Sequence, residues 1–141
     1  MSSKIALKVA VADALHSGAI RLLRFVRAED AQAGIGPAQL SALSVLVFLG
    51  AKSVGELAAL EQVRPPTMSR VVEGLVQRKL VQRVSSEGDR RAVQITATPA
   101  GRKLLMAGKA RRVRALAKRF EGLTKVEVET LHAAAQIMAR L

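Results

Sequence analysis

Residues 53–80 read SVGELAALEQVRPPTMSRVVEGLVQRKL, and the punctuation of that stretch marks out two helices. Ser53-Val54-Gly55-Glu56 is a capping-box pattern, in which the serine oxygen takes an orphan backbone N–H and the glutamate reaches back to the cap. The helix that starts there carries Val54, Leu57 and Ala58 inward and stops around Gln62. Pro65-Pro66 opens the next helix, because a first-turn proline has no intrahelical N–H bond to lose and its φ is already helical. Met68, Val71, Val72 and Leu75 share one face of it, leaving Thr67, Ser69, Arg70, Glu73, Gln77 and Arg78 largely outside. Two short helices separated by a tight turn predict a helix-turn-helix.

Downstream of Leu80 the period changes. Val93 and Ile95 alternate with Gln94 and Thr96 over a short strand, whereas the matching run from Val81 to Ser85 alternates less cleanly. Between them lies Ser86-Glu87-Gly88-Asp89-Arg90-Arg91, a polar, glycine-containing hairpin tip that makes the pair of strands a wing. Thr98-Pro99 caps and starts a long fifth helix with Leu105, Val113, Leu116, Ala117 and Phe120 on its apolar side. Thr124-Lys125-Val126-Glu127 is a second capping box, opening a last helix with Val128, Leu131, Ala135 and Met138.

Upstream, residues 4–30 form one long helix in which Ile5, Val9, Ala12, Ala19, Leu23 and Val26 recur at helical spacing. Gly34-Ile35-Gly36-Pro37 punctuates, and Pro37 begins a second helix ending near Gly50. Leu40 to Leu49 is almost wholly apolar, which predicts the buried centre of the fold. The expected fold class is mainly α with a small β-hairpin wing, a single unit over 1–141 with a winged helix-turn-helix core at 37–97. The flanking helices, 4–30 and 99–141, carry apolar stripes that the core cannot cover. An intersubunit bundle, hence a homodimer, covers them most economically; folding them back on the chain's own core is the alternative.

Composition bounds the partners. The 141 residues hold 23 Lys and Arg against 11 Asp and Glu, a formal net charge of +12, yet 50% of them are hydrophobic, so a packed domain carries basic faces. Nucleic acid and an acidic membrane surface are the common partners for that combination. The longest apolar run is broken by Ser41 and Ser44 and falls short of the roughly 20 residues that span a bilayer, and Lys4, Lys8 and Asp13 interrupt any signal-peptide core, so no membrane partner and a cytoplasmic protein are expected. The absence of Cys removes thiolate metal sites, iron–sulfur clusters and thiol-based redox sensing, and His16 and His132 have no metal-ligand spacing; no metal or cofactor is expected. Three phenylalanines and no Tyr or Trp leave no stacking platform for single strands, which favours double-stranded DNA.

The order of helices, turn, wing and long closing helices resembles the MarR family of bacterial regulators over nearly the whole chain. The resemblance is most specific from Leu57-Ala58 through Val63-Arg64-Pro65-Pro66-Thr67-Met68-Ser69-Arg70-Val71-Val72, Leu75 and Leu80-Val81-Gln82-Arg83, then in Asp89-Arg90-Arg91 and Thr98-Pro99-Ala100-Gly101. Two positions depart from it: Gln62 stands where such sequences commonly place the turn glycine, and Lys79 where a glycine usually ends the recognition helix. The resemblance implies a transcription regulator, for many relatives a homodimeric repressor released by a small-molecule effector.

The major groove of B-DNA accepts one α-helix, so the fourth helix is expected to enter it with Thr67, Ser69 and Arg70 at base edges, Arg70 having the fork geometry for guanine. Arg64 and Arg78 are expected at phosphates. Arg91 at the wing tip suits the minor groove, with Arg90 as the alternative reader, and the family motif implies that Asp89 stabilises the wing by holding Arg91. The acid-free run of bases from Arg102 and Lys103 through Arg119 is either a solvated face or a phosphate contact. A ligand pocket between the first two helices and the fifth would be lined by His16, Ile20, Leu43 and Val47, a set that an ordinary core would also present. Two competing classes remain: a sequence-indifferent architectural DNA-binding protein, and an enzyme, for which no nucleophile–base pair, carboxylate pair or phosphate loop is visible.

Overall fold

The computed structural model describes residues 3–85 and 93–141. In chain order these form α1 (Ser3–Asp30), a 3₁₀ turn (Ala31–Ala33), α2 (Pro37–Leu49), α3 (Val54–Leu60), α4 (Pro65–Gln77), β1 (Val81–Ser85), β2 (Val93–Ala97), α5 (Pro99–Arg119), a second 3₁₀ turn (Phe120–Gly122) and α6 (Lys125–Met138). The mainly α class with one antiparallel hairpin is as the sequence predicts.

The caps explain why the boundaries fall where they do. Ser53 Oγ accepts from Glu56 N at 3.1 Å while Glu56 Oε2 accepts from Ser53 N at 2.7 Å, and Thr124 and Glu127 repeat the exchange at 3.3 and 2.8 Å at the head of α6. Gln39 supplies only half of such a box at α2, because its partner Gly36 has no side chain. Accepting the cap N–H holds the carboxyls of Glu56 and Glu127 below the usual carboxylate range. A group whose pKa is lowered by folding adds stability above its unfolded pKa and loses it as pH falls through the folded one. Glu56→Gln is therefore expected to melt below the wild type at neutral pH, and the two melting curves to converge in acid once the carboxyl is protonated in the folded state as well. A gap that persists in acid would mean that the charged cap is not its source.

The core is built where α2 meets α3, α4, the hairpin and α5. Leu43, Leu57, Met68, Val72, Leu75 and Ile95 are its largest fully buried side chains. On α2 the buried set is Ala42, Leu43, Leu46 and Val47, whereas Phe48 and Leu49 at its end remain more than half exposed, so only one face of the expected central helix is internal. The hairpin pairs Val81 with Ala97 through Ser85 with Val93. The link between α2 and α3 adds a bridge that periodicity did not reveal, with Lys52 and Ile95 exchanging both backbone hydrogen bonds at 3.1 and 2.7 Å.

The two ends of the chain differ from this lobe. α1 runs antiparallel along α5, with the Arg119 guanidinium 4.1 Å above the Phe25 ring and Arg112 bonded to Asp30. Neither α1 nor α6 has a fully buried residue, and Leu7, Val9, Leu22, Leu23, Val126 and Ile137 are each at least half exposed. The chain exposes 10486 Å², whereas a compact monomer of 15.0 kDa exposes about 7000 Å². Among the described residues, no single helix is long and apolar enough to cross a membrane.

Candidate nucleic-acid interface

α4 is presented by what holds its two ends. Its buried face, Met68, Val72 and Leu75, docks on α2 and α3, and Thr67, Ser69 and Arg70 stand exposed on the opposite side of its first turns, with Arg64 exposed at the cap position. Glu73, Gln77 and Arg78 are exposed too, so the inside and outside faces are those read from the sequence.

The turns before and after α4 share one geometry. At the end of α3, Gln62 N–H donates to Ala59 O and Val63 N–H to Ala58 O; at the end of α4, Lys79 N–H donates to Val76 O and Leu80 N–H to Leu75 O. Each is a Schellman closure, which needs a left-handed residue at its centre. Among the described residues, Gln62 and Lys79 are the non-glycine residues with positive φ, at 54° and 59°. These are the positions at which the sequence departs from the family's glycines, so the turns keep their geometry and carry the strain. Gln62→Gly and Lys79→Gly are each expected to stabilise the protein by up to about 1 kcal/mol, read as a higher melting temperature at fixed protomer concentration. Destabilisation by both would mean that their side chains make contacts worth more than the strain.

Thr98 locks the end of α4 to the start of α5. Its hydroxyl donates to Lys79 O at 2.7 Å and accepts from Gly101 N at 3.1 Å, while its own N–H donates to Leu80 O at 3.0 Å. The wing strand is tied to the same helix by Arg83, whose guanidinium meets the Glu73 carboxylate at 2.7 Å with both side chains about half exposed. Asp89, Arg90 and Arg91, the expected wing tip, lie outside the described residues.

Two expectations about basic residues change. The Arg78 guanidinium donates to the Gly34 carbonyl at the corner between α1 and α2, a structural use that the sequence did not signal. In the basic run on α5, Arg112 is about three-quarters buried and bonded to Asp30 at 2.5 Å, and Arg119 packs on Phe25, so part of that run holds α1. Arg102, Lys103, Lys109, Arg114 and Lys118 remain exposed.

A cavity of about 680 Å³ opens beside this lobe, between the end of α1, the start of α2 and the middle of α5, with Arg27, Asp30, Ile35, Leu40, Leu105 and Arg112 in its wall. None of His16, Ile20, Leu43 and Val47, the residues expected at a ligand pocket, lines this cavity. Leu43 and Val47 point into the core from the other face of α2, whose cavity side is Leu40, Ser41 and Ser44, and His16 and Ile20 sit exposed several turns back along α1.

Comparison with known proteins agrees with this geometry. The model of the MarR family matches residues 33–92, a span from the corner before α2 to the start of β2. The chain is 34% identical over 131 residues to an uncharacterized HTH-type transcriptional regulator, Mb0904 of Mycobacterium bovis, covering 93% of this chain and 92% of the relative. Among solved structures it superposes on the transcriptional regulator Tm0710 of Thermotoga maritima with a TM-score of 0.79 and 25% identity, over 93% of this chain and 95% of that one. A mutant MepR of S. aureus, solved bound to an oligodeoxyribonucleotide, shares the fold with a TM-score of 0.72 and 20% identity over 92% and 96% of the two chains. A helix-turn-helix held by two Schellman turns, a hairpin wing and long flanking helices, together with these likenesses over nearly full length, make the chain a member of the MarR family of transcriptional regulators.

Proposed function

We propose that the protein is a homodimeric repressor that binds a pseudopalindromic double-stranded DNA operator, placing one α4 in the major groove of each half-site. The observation that carries this reading is the exposed Thr67, Ser69 and Arg70 surface on a helix immobilised at both ends, since hydroxyls and a guanidinium on a rigid helix are what base edges require. MepR, of the same fold, was solved with an oligodeoxyribonucleotide, which supports DNA as the partner here. Arg64 serves a phosphate, and Arg91 or Arg90 the minor groove beside the wing, with Asp89 stabilising the wing.

The uncovered ends support the dimer. The exposed surface exceeds that of a compact monomer by about 3500 Å², and the excess goes with the apolar residues of α1 and α6. Obligate interfaces bury on the order of 1000–2500 Å² of each partner, which an excess of that size can supply. Pairing the two ends sets two recognition helices about one turn of DNA apart. Release by a small-molecule effector would use the cavity beside Asp30 and Arg112, because it lies between the paired ends and the DNA-reading lobe.

Selection of bound fragments from a random DNA pool, followed by measurement of affinity for the recovered site and for random duplex of equal length, tests the reading. A palindromic site bound at least about a thousandfold more tightly than random duplex is expected. Equal affinity for both would leave the sequence-indifferent architectural reading, which the net charge of +12 favours, in its place.

A further inference from the structure

Arg78 and Gly34 are 44 positions apart, yet the guanidinium of the first donates to the carbonyl of the second. Arg78 is the cap residue at the end of α4, the end already fixed by the Lys79 turn and by Thr98. Gly34 has φ 74° and ends the 3₁₀ turn that follows α1. That corner is part of the cavity wall, since Asp30, Ala31 and Ile35 on either side of it line the cavity. Asp30 in turn accepts from Arg112 of α5 at 2.5 Å, with both side chains about three-quarters buried. A short path of charge-assisted bonds thus runs from α5 through Asp30 and one tight backbone turn to Gly34, and through Arg78 to the last turn of α4.

The chemistry suits a clamp better than a phosphate contact. A guanidinium with an N–H committed to a backbone carbonyl has its direction fixed, and the carbonyl it satisfies belongs to the left-handed residue of a tight turn. We infer that Arg78 is a positioning residue, clamping the recognition helix to the wall of the cavity and coupling the Asp30–Arg112 pair energetically to DNA binding. The inference rests on the reading of α4 as the DNA-contacting helix. What it adds is a route by which a change at the cavity reaches that helix without any new contact to DNA: loosening the Asp30–Arg112 pair frees the corner, and the corner holds α4 through one side chain.

Arg78→Lys keeps the charge but replaces the fork by a single ammonium, so it separates the two roles. A phosphate ligand tolerates lysine. A clamp does not, and operator affinity is expected to fall about tenfold while affinity for random duplex, and the salt slope of each, stay at wild-type values. Arg78→Met completes the comparison: loss of a phosphate contact lowers binding to both duplexes and reduces the salt slope by about one, whereas loss of a clamp falls mainly on the operator. Asp30→Asn and Arg112→Gln probe the far end, alone and combined with Arg78→Lys, using whichever of the two melts cooperatively near the wild-type temperature. In the wild-type background the pair mutation is expected to change operator affinity severalfold, and in the Arg78→Lys background to change it little. Additive effects overturn the coupling, and wild-type operator affinity in Arg78→Lys overturns the clamp. If the wild type itself shows no preference for an operator over random duplex, the DNA-reading assignment of α4 fails instead, a result distinct from either of these.

Discussion

Replacing Gly101 by alanine is expected to destabilise the protein by about 3 kcal/mol, a drop of roughly 10 °C in melting temperature for a chain of this size. Gly101 lies in the first turn of α5, where a Cβ would overlap the Leu80 carbonyl oxygen and stand 3.0 Å from Leu43 Cδ1. The obstacle is backbone on one side and a fully buried leucine on the other, so neither can swing away. Relief requires the start of α5 to withdraw from the end of α4, which pulls on the two hydrogen bonds that Thr98 donates across that seam, to Lys79 O and Leu80 O. Gly74 is the control. There the added Cβ meets the terminal amide of Gln39, a flexible side chain, so Gly74→Ala is expected to cost well under half as much despite a similarly close approach. Thermal melts of both variants at one protomer concentration decide the matter, and equal stabilities would show that the α4–α5 seam has slack that its geometry does not indicate.

Arg70→Ala is expected to relax base preference at one position of each half-site and to weaken operator binding by about 1–3 kcal/mol, a loss of roughly fivefold to 150-fold. Arg70 is exposed on the second turn of a helix whose opposite face is fully buried, so its guanidinium presents donors to the groove without moving the fold. Lys103→Ala, on the exposed face of α5, is expected to alter overall affinity or nothing, because a charge outside the groove contributes through counterion release and long-range attraction. Binding measured against a panel of single-base operator variants distinguishes the two. If Arg70→Ala loses affinity equally across the panel, Arg70 contacts phosphate and the base-edge role passes to Thr67 or Ser69.

The Arg70 face was legible in the sequence, because the inward and outward sides of α4 follow from the recurrence of Met68, Val72 and Leu75 at helical spacing, and its start from Pro65. The capping boxes at Ser53 and Thr124 were legible for the same reason: both partners lie within four residues, and the hydrogen bonds they predict are present. Even the left-handed turns at Gln62 and Lys79 were signalled, as departures from the glycines of a resembling family.

What tertiary packing alone decided is where distant segments meet. The Arg78–Gly34 bond joins residues 44 apart and the Arg112–Asp30 pair residues 82 apart. Nothing in a basic side chain at a helix end distinguishes a phosphate ligand from a clamp until the facing carbonyl is known. The cavity shows the same limit. The apolar run of α2 made Leu43 and Val47 inward-facing, as they are in the core, but a run apolar on nearly every side does not show which flank borders a gap, and the cavity opens at Leu40, Ser41 and Ser44. Local hydrogen bonding and residue spacing therefore determined the helices, their ends and the exposed face of α4. The packing of α5 against both α1 and α2, a property of the folded chain, determined which charges pair, where the cavity lies and what holds the recognition helix in place.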